Sequence, residues 1–260
     1  MARRPRISAL IIARDEASNL PGCLASLGWA DEVVVVVDPA SRDDTLAIAR
    51  RKADRVVSRP FDDFASQRNA ALEASRGDWV FAIDADERAT PALAAQIRDA
   101  VLDRRSPLVG YRVPIRSVIL GRPFGHSGTQ DDRPLRLFRR GKGRWVGSVH
   151  ETVALRGPEG VLTEPLLHRT IPTMDVFLRK LNKYTSLEAI EFHRQNRPVR
   201  PWDLVVRPFW TFAKLYVAKQ GYRDGPEGLV FCAMSGVSVA VRHWKHRELT
   251  RRAEARGRAA

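Results

Sequence analysis

The chain has 260 residues, 44% of them apolar and 28% charged, with a formal net charge of +14. That length supports one large core or a core with an appendage, and the apolar share excludes wholesale disorder. The charge is uneven: from His168 onward eighteen Lys/Arg stand against eight Asp/Glu, so an anionic partner, nucleic acid or anionic lipid, is expected of the C-terminal third.

In chain order, Arg3, Arg4 and Arg6 precede the apolar run Ile7–Ala13. The run is too short for a signal sequence and stops at Arg14-Asp15-Glu16, so it reads as a buried strand. A helix with Leu20, Leu24 and Leu27 on one side follows. Glu32–Val37, with five consecutive valines, is the clearest buried strand. Ser41-Arg42-Asp43-Asp44 has the form of a capping box ahead of a helix over Thr45–Lys52. A short strand at Arg55–Ser58, a helix over Ala65–Ser75, a strand over Asp78–Ile83 and a helix from Pro91 to about Asp103 complete the alternation. Such alternation predicts an α/β domain with a mostly parallel sheet between helices.

Past residue 105 the pattern changes. Gly110–Leu120 and Leu135–Phe138 read as strands, with Gly121–Asp132 as a loop, and Arg144–Leu155 as a strand pair or an extended segment. Helices are expected over Met174–Arg194, Leu204–Gln220 and Pro226–Thr250, with a disordered basic tail over residues 251–260. The organisation read from this is a first half, 1–105, a second half of the same domain, 106–171, and a helical region, 172–250. The apolar run Gly228–Val241 falls short of the roughly 20 residues a spanning helix needs, so no transmembrane helix is predicted. Cys23 and Cys232 each sit in an apolar context and read as buried thiols.

The chemistry concentrates at strand ends. Asp84-Ala85-Asp86 follows an apolar strand, and in extended backbone residues two apart face the same side. Two carboxylates so placed can meet one hard divalent cation, which also takes phosphate oxygens. Strand ends are where open α/β sheets bind ligands. Asp38 ends the valine strand, where an acid can accept from a base N–H or a ribose hydroxyl, or serve only as a turn residue. The first strand likewise ends in Arg14-Asp15-Glu16.

These strings, Ile7–Arg14 with Glu16, Trp29–Asp38, Gln67-Arg68-Asn69 and Gly77–Glu87, together resemble family 2 glycosyltransferases with a GT-A fold. Leu135–Arg139, Gly143-Arg144-Trp145 and Val149-His150-Glu151 are similar to the branch containing lipopolysaccharide-core β-1,4-glucosyltransferases. The resemblance runs over roughly residues 7 to 220. It implies an inverting sugar transfer from a UDP-sugar donor. Asp38, Glu16 and the backbone of Ile12, Ala13 and Arg14 would hold the nucleoside, and Arg68 the base or diphosphate. Asp84, with Ala85 beside it, would contact the ribose or the metal, and Asp86 would ligate Mg²⁺ or Mn²⁺. Asp15 departs from the family, where many relatives carry Asn, so it offers a carboxylate in place of an amide.

An inverting transfer needs a base for the acceptor hydroxyl, and the acidic pair that many relatives use is absent in its usual form. Glu151 is the favoured substitute, with His150 orienting it or donating to the diphosphate, and Asp131 and Asp132 are the runners-up. Glu151 reads equally as a residue salt-bridged to Arg144 or Arg136, and Arg136 as a neutraliser of diphosphate charge. His126, in the loop Phe124–Gly128, reads either as a contact to the acceptor or as a surface residue, and His168 as structural.

Residues 204–219 mix bulky apolar, aromatic and basic side chains, as in a helix lying in a membrane interface. A helical pair packed on the core or forming a dimer contact is the alternative, and oligomeric state stays open. The expected partners are therefore a UDP-sugar, a lipid-linked glycan or lipopolysaccharide-core acceptor and an anionic membrane surface, with the protein peripheral on the cytoplasmic face. Three other readings stay open: the same donor site acting on polyprenyl phosphate, an inactive GT-A scaffold, and a nucleic-acid binder. Acids at three strand ends argue against the last, because they would repel phosphate without a metal.

Overall fold

The computed structural model describes residues 3–129, 132–147, 151–198 and 200–259. The strands are β1 (Ile7–Ala13), β2 (Glu32–Val37), β3 (Arg55–Ser58), β4 (Trp79–Ala82), β5 (Glu87–Ala89), β6 (Gly110–Arg112), β7 (Ile115–Ile119), β8 (Arg122–Pro123), β9 (Leu135–Arg139), β10 (Gly143–Val146), β11 (Thr152–Leu155), β12 (Glu159–Val161) and β13 (Leu166–Ile171). The helices are α1 (Leu20–Ala25), α2 (Thr45–Lys52), α3 (Phe64–Ala74), α4 (Pro91–Leu102), α5 (Met174–Arg194), α6 (Pro201–Ala213) and α7 (Gly225–Ala259). Two compact units result, Met1–Arg116 with Asp131–His168, and Ser117–Gln130 with Arg169–Ala260. The division is thus discontinuous, and the loop after residue 116 joins the C-terminal helices rather than the second half of the sheet.

The first unit is built on a seven-stranded sheet in the order β12-β6-β9-β4-β1-β2-β3. β1 runs parallel to β2 and β4, and β2 to β3, while β9 is antiparallel to both β4 and β6. Every residue of β2 is buried, and the period of two divides its valines between the faces. Val33, Val35 and Val37 join Ala9, Ile11, Leu20, Leu24, Leu93 and Ile97 in a core under α1 and α4. Val34 and Val36 join Leu10, Val80, Ala65, Leu72 and Trp145 under α3. Each buried valine contributes about 1.5–3 kcal/mol of transfer free energy. Helix starts follow local chemistry: Asp63 accepts from the Ser66 N–H (2.8 Å) and Thr90 from the Leu93 N–H (3.1 Å).

α2 starts differently from the sequence expectation. No side chain caps it at Asp44. Asp43 instead accepts from the backbone N–H groups of Thr45 and Ala17, both at 3.0 Å, and Ser41 Oγ donates to the Asp38 carbonyl (2.8 Å). These polar side chains tie two loops together, a use that competes with helix capping.

In the second unit β7 and β8 form a hairpin whose turn places both Leu120 (φ 51°) and Gly121 (φ 83°) in the left-handed region. That is the conformation two-residue hairpins need, which glycine adopts without strain and leucine does not. α7 packs on α5 and α6. At Gly236 it passes so close to α6 that a Cβ would stand 2.8 Å from the Pro208 carbonyl oxygen. Helix continues through the expected tail, to Ala259, and the segment read as one helix to Gln220 leaves α-geometry at Ala213 for a π-turn over Lys214–Ala218. α6 is apolar on its outward side: Trp202, Val205, Val206, Phe209 and Trp210 are 52–71% exposed. Among the described residues no helix is long and apolar enough to cross a membrane.

Candidate functional site

The acids that the sequence places at strand ends do fall at the carboxyl edge of the sheet, in two groups. One surrounds the ends of β1 and β2. Asp38, 4% exposed, accepts from the Ala40 N–H (2.9 Å) and pairs with Arg14 (3.2 Å), and its own N–H bonds to the Ala13 carbonyl (3.1 Å). Asp15, in left-handed backbone, accepts from the Arg42 N–H (2.7 Å). The Glu16 N–H donates to Thr45 Oγ1 (2.8 Å), and Glu16 Oε2 accepts from Asn19 (2.8 Å). Ile12 lies one residue inside β1, so these contacts present the edge of Ile12–Arg14 as a fixed ledge beside Asp38.

The second group gathers at the end of β4. Asp84 lies beyond the strand, and Ala85-Asp86 form a turn into β5. The two aspartates therefore do not share a face of extended backbone as expected, and their carboxylates have different partners. Asp84 bridges two guanidiniums, accepting at Oδ1 from Arg68 Nη2 (2.7 Å) and at Oδ2 from Arg136 Nη2 (2.9 Å). Asp86 Oδ2 meets His168 Nε2 at 3.1 Å. Register explains the second pair, since His168 on β13 lies opposite Glu87 on β5.

Beneath Asp84 sits Glu87, 1% exposed, a residue to which the sequence reading assigned no role. Its Oε2 accepts from the Asp84 N–H (2.8 Å) and its Oε1 from Arg136 Nη2 (2.6 Å). Arg88 donates to the carbonyls of Ala85 (3.0 Å) and Asn19 (2.8 Å), tying the turn to the β1–α1 loop. Ala85 is buried in the same turn.

Burial and charge act against each other here. Burial alone would raise the Asp84 carboxyl, but Arg68 and Arg136 outweigh it and hold it well below the usual carboxylate range. Burial pushes the Glu87 carboxyl up to about 7, with Arg136 pulling down and Asp84 adding repulsion. Burial would lower His168, yet the bond to Asp86 and the nearby acids raise it above the ordinary histidine value. Cys23, whose thiol donates to the Asp84 carbonyl (3.4 Å), is pushed up to about 12 by burial against the opposing pull of Arg88. It is an inert thiol.

The Gln67-Arg68-Asn69 string is explained residue by residue. Gln67 Nε2 donates to the Arg59 carbonyl (2.9 Å). Asn69 exchanges two bonds with the backbone of Trp145, at 2.9 and 3.1 Å. Both neighbours fix α3, so Arg68 between them is held toward Asp84. Arg68 Nε also donates to Glu151 Oε1 (3.2 Å). The ion pair expected of Glu151 therefore forms with Arg68, while Arg144 pairs with Glu73 (3.1 Å) and Arg136 with the acids of the turn. Arg68, Asp84, Arg136 and Glu151 line a cavity of about 270 Å³, floored by Ala82 and Trp145. Arg136 Nε is buried with no hydrogen-bond partner among the described residues.

Of the other expected site residues, His150 and Asp131 lie outside the described residues. Asp132 is exposed, and its carbonyl accepts from the Ile115 N–H (2.9 Å). His126 belongs to the second unit, where its Nδ1 is 3.4 Å from Asp224 Oδ1. Asp224 also accepts from the Gly125 N–H (3.0 Å) and Ser127 Oγ (2.6 Å), so the loop is pinned to one buried carboxylate. Among the described residues no group of three or more His, Cys, Asp or Glu is arranged to hold a metal. The sequence reading took His168 as structural and gave Glu87 no role, and the structure brings both into this cluster. Glu87 stands three residues past Asp84, a spacing that offered a signal, whereas 82 residues separate Asp86 from His168.

The family model for glycosyl transferase family 2 matches residues 8–152. The chain is 34% identical over 242 residues to the lipopolysaccharide core biosynthesis glycosyltransferase LpsC of Rhizobium meliloti, covering 90% of this chain and 88% of that one. Among solved structures, the mannosyltransferase PcManGT of Pyrobaculum calidifontis, solved with GDP-Man and Mn²⁺, aligns at 16% identity and a TM-score of 0.48, covering 97% of this chain and 81% of its own. Glucosyl-3-phosphoglycerate synthase of Mycobacterium tuberculosis, solved with Mn²⁺, UDP and glucosyl-3-phosphoglycerate, aligns at 18% identity and a TM-score of 0.47, covering 75% and 81%. Matched by the family model over more than half its length, and by a relative from nearly end to end, the chain belongs to glycosyltransferase family 2, with a GT-A fold in which a mostly parallel sheet lies between helices.

Proposed function

We propose that this glycosyltransferase moves a sugar, glucose on the strength of the branch it resembles, from a UDP-sugar to a lipopolysaccharide-core or other lipid-linked glycan, with inversion, at the cytoplasmic face of a membrane. The observation that carries the reading is the pair of buried guanidiniums converging on Asp84 at the cavity wall. Arg136 Nε, buried and unpartnered among the described residues, is a donor suited to a diphosphate oxygen. The relative from Rhizobium meliloti supports the class of acceptor.

In this reading Asp38 and the Ile12–Arg14 ledge take the nucleoside, with Glu16 behind them, while Arg68 and Arg136 face the diphosphate. Asp86 and His168, a carboxylate and an imidazole side by side and part-exposed, would be the two side chains to hold a divalent cation, which would also attract phosphate oxygens. That donor set suits Mn²⁺ over Mg²⁺, and the cation would neutralise charge on the departing diphosphate. His168 must give up its proton to ligate. Asp84 then acts through the arginines it holds.

The transfer forms one bond and breaks one. The acceptor oxygen attacks C1 of the sugar as the C1–O bond to the β-phosphate breaks, and its proton passes to a carboxylate. Glu151 is proposed for that proton at Oε2, since Oε1 carries the bond from Arg68. Arg68 already occupies one of the two Glu151 oxygens, which is the specific reason to keep a second reading: a polyprenyl phosphate acceptor, already ionised, needs no base. Conversion of Glu151 to Gln separates the two. Loss of transfer supports a hydroxyl acceptor, and near-normal transfer supports the phosphate.

Membrane placement rests on the outward aromatic side of α6 and the basic surplus of the C-terminal third. The direct test incubates purified protein with a panel of UDP-sugars, Mn²⁺ or Mg²⁺ and membrane extract. One donor sugar becoming lipid-associated is the expected result. No uptake of UDP by calorimetry with Mn²⁺, together with no donor consumed, would falsify the proposal.

A further inference from the structure

The second unit holds a cavity of about 220 Å³ that the transfer reaction does not use. Arg197 and Arg200, from the segment between α5 and α6, line it with Arg207 and Asp203 of α6 and with His243 and His246 of α7. Asp203, 3% exposed, is its lone carboxylate. That charge is already compensated: Oδ2 accepts from the Arg200 N–H (3.0 Å), and Oδ1 lies 2.7 Å from Arg207 Nε. Three guanidiniums against one carboxylate leave the cavity with a surplus of positive charge.

Two of the guanidiniums are arranged for recognition. Arg197 stacks over the Phe192 ring at 4.5 Å and Arg200 over the Trp202 ring at 5.6 Å. A guanidinium lying on a ring keeps its N–H edge available, and that planar fork matches the oxygens of a phosphate. An independent feature points the same way. His243 is 4% exposed, and its Nε2 is buried with no hydrogen-bond partner among the described residues. A polar atom so placed wants a partner. Burial, with Arg242, Arg207 and His246 acting against Asp203, holds this imidazole below the usual histidine range. In one of the two tautomers of the neutral ring, Nε2 carries the proton and can donate it.

We infer that this cavity binds a phosphate group, gripped by Arg197, Arg200 and Arg207 with His243 at its back. Trp202, which carries Arg200, is also the first residue of the outward apolar side of α6, so the phosphate site borders the stripe of Val206, Phe209 and Trp210. A phosphomonoester headgroup in a bilayer and a soluble phosphate present the same chemistry. The inference extends the proposed membrane encounter, and its test uses no sugar transfer, so it fails or stands apart from the donor-site reading.

The full chain is titrated with inorganic phosphate by calorimetry at low salt, and separately floated with vesicles of phosphatidylcholine alone or with phosphatidic acid. Arg197→Gln/Arg200→Gln is the cavity variant, and Arg251→Gln/Arg252→Gln on α7 is the charge-matched control. Arg207 is left in place because it covers Asp203, and Arg197→Gln alone serves if the double variant melts early. A headgroup site predicts binding to the phosphatidic acid vesicles that falls about thirtyfold in the cavity variant, as expected for two cations near an anionic surface, with little change in the control. Saturable binding of inorganic phosphate, lost in the cavity variant while flotation is unchanged, assigns the site to a soluble phosphate. Equal losses in cavity variant and control, or no binding of either probe, overturn the inference.

Discussion

The cluster at the end of β4 and the helix α6 use charge and apolar surface in opposite ways. At the β4 end, Asp84, Glu87, Arg68 and Arg136 are drawn in until each side chain is at most 30% exposed, and they compensate one another. On α6 the bulky apolar side chains turn outward, up to 71% exposed for Phe209, and a carboxylate, Asp203, turns in. Burying charge is costly unless it is paired, and exposing aromatic surface is costly unless something covers it. Both regions are therefore poor at stabilising the fold for their own sake, and each is proposed to meet a ligand.

Removing a single partner breaks the first region. Arg136→Ala strips Glu87 and one side of Asp84 of their counter-charge, and an expected loss of about 3–5 kcal/mol is read by urea denaturation. Next comes Asp86→Asn, which removes one of the two proposed cation donors. Transfer at fixed Mn²⁺ is expected to fall by about a hundredfold (on the order of 2.7 kcal/mol) with the melting temperature nearly unchanged. Unchanged transfer would remove Asp86 from the cation site. Asn69→Ala leaves the buried N–H and carbonyl of Trp145 unpaired, for about 1–3 kcal/mol of stability, and the slackened Arg68 should lower kcat more than it raises KM.

The other region completes the contrast with a small stability effect. Phe209→Ser with Trp210→Ser should change stability by less than about 0.5 kcal/mol, because neither side chain is packed inside, while flotation with anionic vesicles falls. A loss of several kcal/mol instead would mean that these aromatics are covered within the folded protein, and the distinction between the two regions would disappear.

Much of the first unit was legible from residue order alone. Ile7–Ala13 and Glu32–Val37 announce buried strands because β-branched runs that must be covered on both faces have few alternatives. The strings around Asp38, Arg68 and Asp84 pointed to the proposed site by resemblance, and strand ends are where an α/β sheet leaves backbone open to a ligand. The start of α2 misled, since Ser41 and Asp43 satisfy a turn and a neighbouring loop instead of a helix end.

Local pattern determined the main strands and helices of the first hundred residues, and that acids gather at strand ends, because periodicity and burial act over a few residues. Partnership was decided by the tertiary structure. That Asp84 lies between Arg68 and Arg136, that Asp86 meets His168 from 82 positions away, and that Glu151 pairs with Arg68 follow from which strands lie side by side. Composition alone is equally silent on whether Phe209 and Trp210 face inward or out: an aromatic stripe has the same sequence in either orientation, and α7, packed against the opposite side of α6, selects one.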